Sequence, residues 1–203
     1  FASIYTYYPC YSGMSIGDSD HDGVFEVYLN ERADWYPSFN STGRGLRAFW
    51  AENLTERWAY PDILCSSHVP ILADVDGDGN LEIIALNQNM GGIAVINTNG
   101  SVNTYGGIYR KQTGLGLTMH SPATVFDVDG DGHLELITNG DAEFDPYNPK
   151  IWDLVDWKLD ATLPFPSAEP PGVADVDGDG KVEIIECNPS HVTILKYNAA
   201  TQN

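Results

Sequence analysis

Basic residues are scarce in this chain: ten Lys and Arg face 29 Asp and Glu, a formal net charge of −19 over 203 residues. No basic patch of the kind that grips a phosphate backbone is present, so a nucleic-acid partner is not expected. Long apolar runs are missing as well. Hydrophobic residues make up 42% of the chain, yet none of their runs approaches 18 residues, so no membrane-spanning helix is expected. Cysteines number three, Cys10, Cys65 and Cys187, an odd count that allows at most one internal disulfide and leaves the pairing open. The five histidines, His21, His68, His120, His133 and His191, show no zinc-site spacing. No Gly-x-Ser-x-Gly elbow and no nucleophile with a matched base is found, so no catalytic residue is assigned. The chain opens at Phe1 with neither an initiator methionine nor a signal peptide, which reads as a processed or truncated start.

What the chain has in quantity is one acidic motif, written four times. The copies run Asp18-Ser-Asp20-His-Asp22-Gly-Val-Phe-Glu26, Asp74-Val-Asp76-Gly-Asp78-Gly-Asn-Leu-Glu82, Asp127-Val-Asp129-Gly-Asp131-Gly-His-Leu-Glu135 and Asp175-Val-Asp177-Gly-Asp179-Gly-Lys-Val-Glu183. Acidic residues fall at offsets 0, 2, 4 and 8 in each, and carboxylates crowded so closely repel one another unless a cation neutralises them. Calcium does so with about 6–8 oxygen ligands, drawn from alternate side chains and a backbone carbonyl. The carbonyl is expected at offset 6, from Val24, Asn80, His133 and Lys181, where four unrelated side chains share one position. The spacing therefore predicts a Ca2+ site in each of the four loops. An EF-hand opens in the same way but closes on a glutamate at loop position 12 and is flanked by helices. Here position 12 is Leu29, Ala85, Thr138 and Glu186, and the following segments are short, β-branched and strand-like. One acidic turn alone also fits an ordinary hairpin; four copies at identical offsets call for a common ligand.

The first aspartates lie 56, 53 and 48 residues apart, a period that belongs to propeller blades or arrays. Each unit starts with an apolar approach strand, passes through the acidic loop into a second strand, and has length for two more. The segments Pro70-Ile-Leu-Ala-Asp-Val-Asp-Gly-Asp-Gly-Asn-Leu-Glu-Ile-Ile and Pro171-Gly-Val-Ala-Asp-Val-Asp-Gly-Asp-Gly-Lys-Val-Glu-Ile-Ile resemble FG-GAP or VCBS-type repeats, the calcium-carrying blades of integrin α-like propellers. That resemblance implies an all-β fold, a β-propeller or partial propeller of about four blades, each with a calcium loop between its first two strands. The expected repeats are 1–60, 61–115, 116–165 and 166–203 in a single repeat domain. The last repeat stops soon after Tyr197, and the β-prone run Ala2-Ser-Ile-Tyr-Thr-Tyr-Tyr is a candidate to complete it, within the molecule or in a neighbouring subunit.

The resemblance implies a secreted, non-enzymatic, calcium-stabilised module of extracellular adhesion or assembly, with protein or glycan partners. Two alternatives stand beside it: a subunit that polymerises into an extracellular filament by strand exchange, and a glycan-binding or polysaccharide-lyase-related propeller. Asn40, Asn53 and Asn99 head glycosylation sequons. Trp35, Tyr36, Phe39, Phe49, Trp50, Trp58 and Tyr60 form an aromatic-rich stretch expected in the core, the rival reading being exposed rings that stack on sugars or anchor a partner. Four bound calcium ions would bring the net charge to about −11.

Overall fold

The computed structural model describes residues 3–4, 13–31, 45–60, 69–87, 92–101, 123–138, 148–155, 158–164, 170–188 and 190–197. Among these the regular elements are all β-strands, arranged in four small antiparallel sheets. The chain divides into two compact units, residues 1–114 and 115–203. In the first unit one sheet runs in the order β1 (Ser15–Gly17), β2 (Glu26–Asn30), β3 (Leu46–Trp50), β4 (Glu56–Tyr60), and a second in the order β5 (Ile71–Ala73), β6 (Glu82–Asn87), β7 (Gly92–Ile96). The second unit repeats the scheme. Its sheets are β8 (Ala123–Phe126), β9 (Glu135–Thr138), β10 (Lys150–Asp153), β11 (Leu159–Thr162), and β12 (Gly172–Ala174), β13 (Glu183–Asn188), β14 (His191–Lys196). The all-β expectation is met, and every acidic loop joins the first two strands of a sheet.

One register recurs in all four sheets. The residue that ends the first strand pairs with the glutamate that opens the second: Gly17 with Glu26, Ala73 with Glu82, Phe126 with Glu135, Ala174 with Glu183. The glutamate at offset 8 thus lies opposite the start of its own loop, which explains why the motif ends on a strand residue. Behind it follow β-branched cross-strand pairs such as Ile84–Val95 and Ile185–Ile194, side chains that pack well on a pleated surface.

Period-2 alternation sends successive side chains of β2 to opposite faces. Tyr28 joins Leu46, Ala48, Ile83, Ala85, Ala94 and Ile96 in a cluster shared by the first two sheets, with Trp58, Tyr60 and Leu72 against it. Its neighbours Val27 and Leu29 pack with Phe49 on the other face, against Ile4, Ala51 and Leu54. Both faces of β2 are therefore covered. The second unit has its own cluster, in which Val128, Ile137, Ile151, Ala161 and Leu163 meet Ile184. Removing a fully buried ring such as Phe49 is expected to cost about 3–5 kcal/mol. Side-chain hydroxyls also tie the paired sheets at equivalent places: Ser15 Oγ donates to the Pro70 carbonyl, and Thr124 Oγ1 to the Pro171 carbonyl at 2.7 Å.

Phe49 takes the core position expected of it, Trp58 and Tyr60 pack against the core half-buried, and Trp50 is half-buried beneath Arg57. Trp58 donates Nε1–H to the Thr98 carbonyl at 2.8 Å and packs on Gly100, where an added Cβ would approach its ring to 2.8 Å. Trp35, Tyr36, Phe39, Cys10, Cys65, His68, His120 and Asn40 lie outside the described residues, as does most of the N-terminal run. Asn53 and Asn99 are exposed turn residues whose Oδ1 atoms accept from Thr55 N–H and Ser101 N–H, each at 2.8 Å. Cys187 is exposed on β13.

Candidate metal-binding loops

The acidic loops are built by their own carboxylates. At offset 0 the aspartate Oδ2 accepts from the glycine N–H at offset 5, Gly23, Gly79, Gly132 or Gly180, at 2.9–3.0 Å. At offset 4 the Oδ1 of Asp22, Asp78, Asp131 or Asp179 takes the N–H of Val24, Asn80, His133 or Lys181 at 2.7–2.9 Å. Finally, Oε2 of the closing glutamate accepts the N–H at offset 1, from Ser19, Val75, Val128 or Val176, at 2.7–3.0 Å. Bending the chain this sharply needs left-handed backbone at the offset-5 glycine, where φ is 86–93°; glycine adopts it without a Cβ penalty.

Held by these bonds, the carboxylates of each loop converge. Asp74, Asp76 and Glu82 bring an oxygen each within 4.8 Å of one another, as do Asp127, Asp129 and Glu135, and Asp175, Asp177 and Glu183. The first loop gathers Asp18, Asp20 and Asp22 instead. Several inward oxygens are buried without a hydrogen-bond donor: Asp18 Oδ1, Asp20 Oδ1 and Glu183 Oε1. Orphaned buried carboxylate oxygens are costly, and converging hard oxygens fit a hard divalent cation such as calcium.

Where no cation is at hand, protons compensate. Burial pushes Glu82 up to about 7, with Asp76, Asp78 and Asp74 adding to the shift against the Val75 N–H bond. Glu135 rises further, to about 8, through burial and the charges of Asp129, Asp127 and Asp131. Asp129 is raised by burial and by Asp131, Asp127 and Asp153. Burial likewise lifts Tyr197, beside Asp160, Asp129 and Glu135, to about 12.

Residues outside the motif complete the picture, and sequence reasoning missed them. Arg57 on β4 reaches into the first loop, its Nη2 3.3 Å from Asp20 Oδ2 and its Nη1 3.0 Å from Glu26 Oε1, while its guanidinium lies 4.0 Å over the Trp50 ring. Lys196 on β14 enters the fourth loop, with Nζ 2.6 Å from Asp177, 2.8 Å from Asp179 and 3.5 Å from Glu183. Those hydrogen bonds raise Lys196 above its usual range and hold Asp179 below its own. The third loop meets acids instead: Asp153 and Asp160 come within 4.8 Å of Glu135. A cleft of about 440 Å³ separates the third and fourth loops, lined by Asp127, Asp129, Asp131, Lys181, Lys196 and Tyr197 among others. The missed residues sit on third and fourth strands, where nothing in a linear motif announces them. Their signal is register: each lies where its strand passes the mouth of a loop.

Residues 74–138 match the FG-GAP-like repeat family. The matched FG-GAP-like segment runs from the first aspartate of the second loop through β9, and so contains both loops that push their glutamates upward. Among solved structures, the Vibrio cholerae biofilm matrix protein Bap1 aligns with 97% of the chain at 16% identity and a TM-score of 0.53. The chain spans 40% of that structure's length, and the likeness is one of fold. The exotype rhamnogalacturonan lyase YesX aligns over 84% of the chain and 27% of its own at 18% identity, with a TM-score of 0.48, a level that says nothing of activity. No curated protein sequence matches the chain. Among the described residues no helix is long and apolar enough to cross a membrane.

Proposed function

We propose that the chain is a calcium-stabilised, propeller-type module of an extracellular protein, used for adhesion or assembly and not for catalysis. One observation carries the reading: four loops of the same backbone path hold carboxylate oxygens in convergent groups, a surplus of negative charge that a bound dication relieves. The FG-GAP-like segment and the fold likeness to a biofilm matrix protein support the extracellular setting. In mechanism, a divalent ion bound by offsets 0, 2, 4 and 8 neutralises the cluster. The protein's own part is to pin the approach strand to the strand after it through the glutamate's bond to the offset-1 N–H. Binding free energy then adds to folding free energy.

Chelation is the test. Removing calcium with an excess of chelator is expected to lower the thermal midpoint by about 10 °C or more, and adding calcium back restores it; an unchanged midpoint in a scanning calorimeter removes the basis for the reading.

A second reading, the filament subunit, draws on β14. Among the described residues this strand is an edge of its three-stranded sheet, and it exposes Val192 and Ile194 by 70% and 57%. An exposed apolar edge is a template for another strand. Electron microscopy separates the two readings: long polymers of the purified protein favour the subunit, and discrete particles the adhesive module.

A further inference from the structure

Basic side chains stand at two of the loops in the geometry of a bound ion, and they differ in how firmly they are held. The Lys196 ammonium contacts three carboxylates of the fourth loop at once, those of Asp177, Asp179 and Glu183. Glu183 is 1% exposed and its Oε1 has no hydrogen-bond donor, so the lysine approaches that oxygen without satisfying it. The lysine side chain itself is 57% exposed and swings on four methylenes. Arg57 is a different case: its side chain is 14% exposed, clamped between the Trp50 ring and two carboxylates. At the third loop the neighbouring strands supply Asp153 and Asp160, the latter 3.7 Å from Lys158 Nζ.

We propose that Lys196 is a tethered competitor for calcium at the fourth loop, holding the ion's place until calcium displaces it, and that Arg57 does the same more firmly at the first. This rests on the calcium reading of the loops. It turns a row of similar motifs into a graded series, in which the fourth loop fills at a lower calcium concentration than the first. The physical reason is that an incoming dication must break the internal ion pairs it replaces, and those of an exposed lysine give way more easily than those of an arginine held under a ring. At the first loop it must also do without Glu26, whose oxygens are taken up by Ser19, at 2.7 Å from Oγ, and by Arg57.

Calcium titration of the full chain by calorimetry, with native mass spectrometry to count ions, tests this. Lys196→Met, at an exposed position, is expected to leave the number of bound ions unchanged and to tighten one site by about fivefold to tenfold, while Asp177→Asn removes one ion from the count. A Lys196→Met titration that superimposes on the wild type overturns the competition. If Asp177→Asn still loses an ion, the calcium reading survives that result; if Asp177→Asn binds as many ions as the wild type, the loop is no calcium site and both ideas fall. Arg57→Gln gives a second arm: tightening of a further site extends the series to the first loop, and an unchanged affinity there removes Arg57 from it.

Discussion

The first and third loops share an acidic pattern and a backbone path, yet they handle their charge in opposite ways. In the first, Glu26 is fully buried and spends its oxygens on Ser19 and Arg57, and Ser19 Oγ continues the chain to the Tyr28 hydroxyl at 2.6 Å. In the third, Glu135 is as well buried but faces Asp153 and Asp160, and burial, with the charges of Asp129, Asp127 and Asp131, pushes it up to about 8. What a strand neighbour contributes therefore decides whether a carboxylate cluster closes on itself or waits for an ion.

The sharpest break of that contrast is Glu26→Gln. It leaves the partly buried Arg57 guanidinium with Asp20 as its carboxylate partner, and a loss of roughly 2 kcal/mol is expected with and without calcium, read as a lower denaturant midpoint in both conditions. Glu135→Gln acts in the reverse sense. Without calcium it relieves a buried charge and raises the thermal midpoint by a few degrees, about 2–4 °C per kcal/mol; with calcium it forfeits a ligand, so the variant falls below the wild type. A variant pair that shifts alike in both conditions would mean the two loops are not different in kind.

Titration sharpens the same comparison more gently. Glu82 and Glu135 hold their protons more tightly folded than unfolded, with values near 7 and 8 against 4.5. Between those limits the native state carries the extra protons, so calcium-free stability falls as pH rises from about 4.5 to 8. Saturating calcium is expected to flatten the slope, and midpoints measured across that range check it. The smallest effect is expected of Lys181→Ala, within about 0.5 kcal/mol, since the chain uses only the backbone at offset 6 and the side chain is exposed.

Much of this arrangement was legible in the linear sequence because it is local. Offsets 0, 2, 4 and 8 encode a turn whose own side chains bond its own N–H groups, and the β-branched run after each glutamate encodes the strand that follows. His21 shows how strong the local code is: it adopts φ 56° where the other three loops use glycine at 74–78°, so the path persists with a costlier residue. Its price is visible in the hydrogen bonds. Asp74, Asp127 and Asp175 each accept the offset-3 N–H through Oδ1 at 2.6–2.8 Å, whereas Asp18 Oδ1 has no donor.

What lay beyond local reading is pairing across strands. Arg47 is nearly fully buried because Glu31 accepts from its Nη1 and Glu56 Oε2 from its Nε and Nη2, at 2.9 and 2.6 Å, while its guanidinium covers the Phe49 ring at 4.5 Å. In the sequence Leu-Arg-Ala-Phe-Trp it passes for a solvent-facing strand residue. Only the register of β3 between β2 and β4 gives the arginine its acids, as the register of β14 on β13 sets Lys196 opposite Glu183.

The Ser15 and Thr124 hydroxyls carry one last consequence. Each bonds a carbonyl that precedes the next sheet, so neighbouring sheets are stitched by a single hydroxyl. Exchange of Ser15 for alanine, or of Thr124 for valine, leaves a proline oxygen stripped of its donor, and slippage between sheets, not fraying within one, becomes the first motion to loosen on heating.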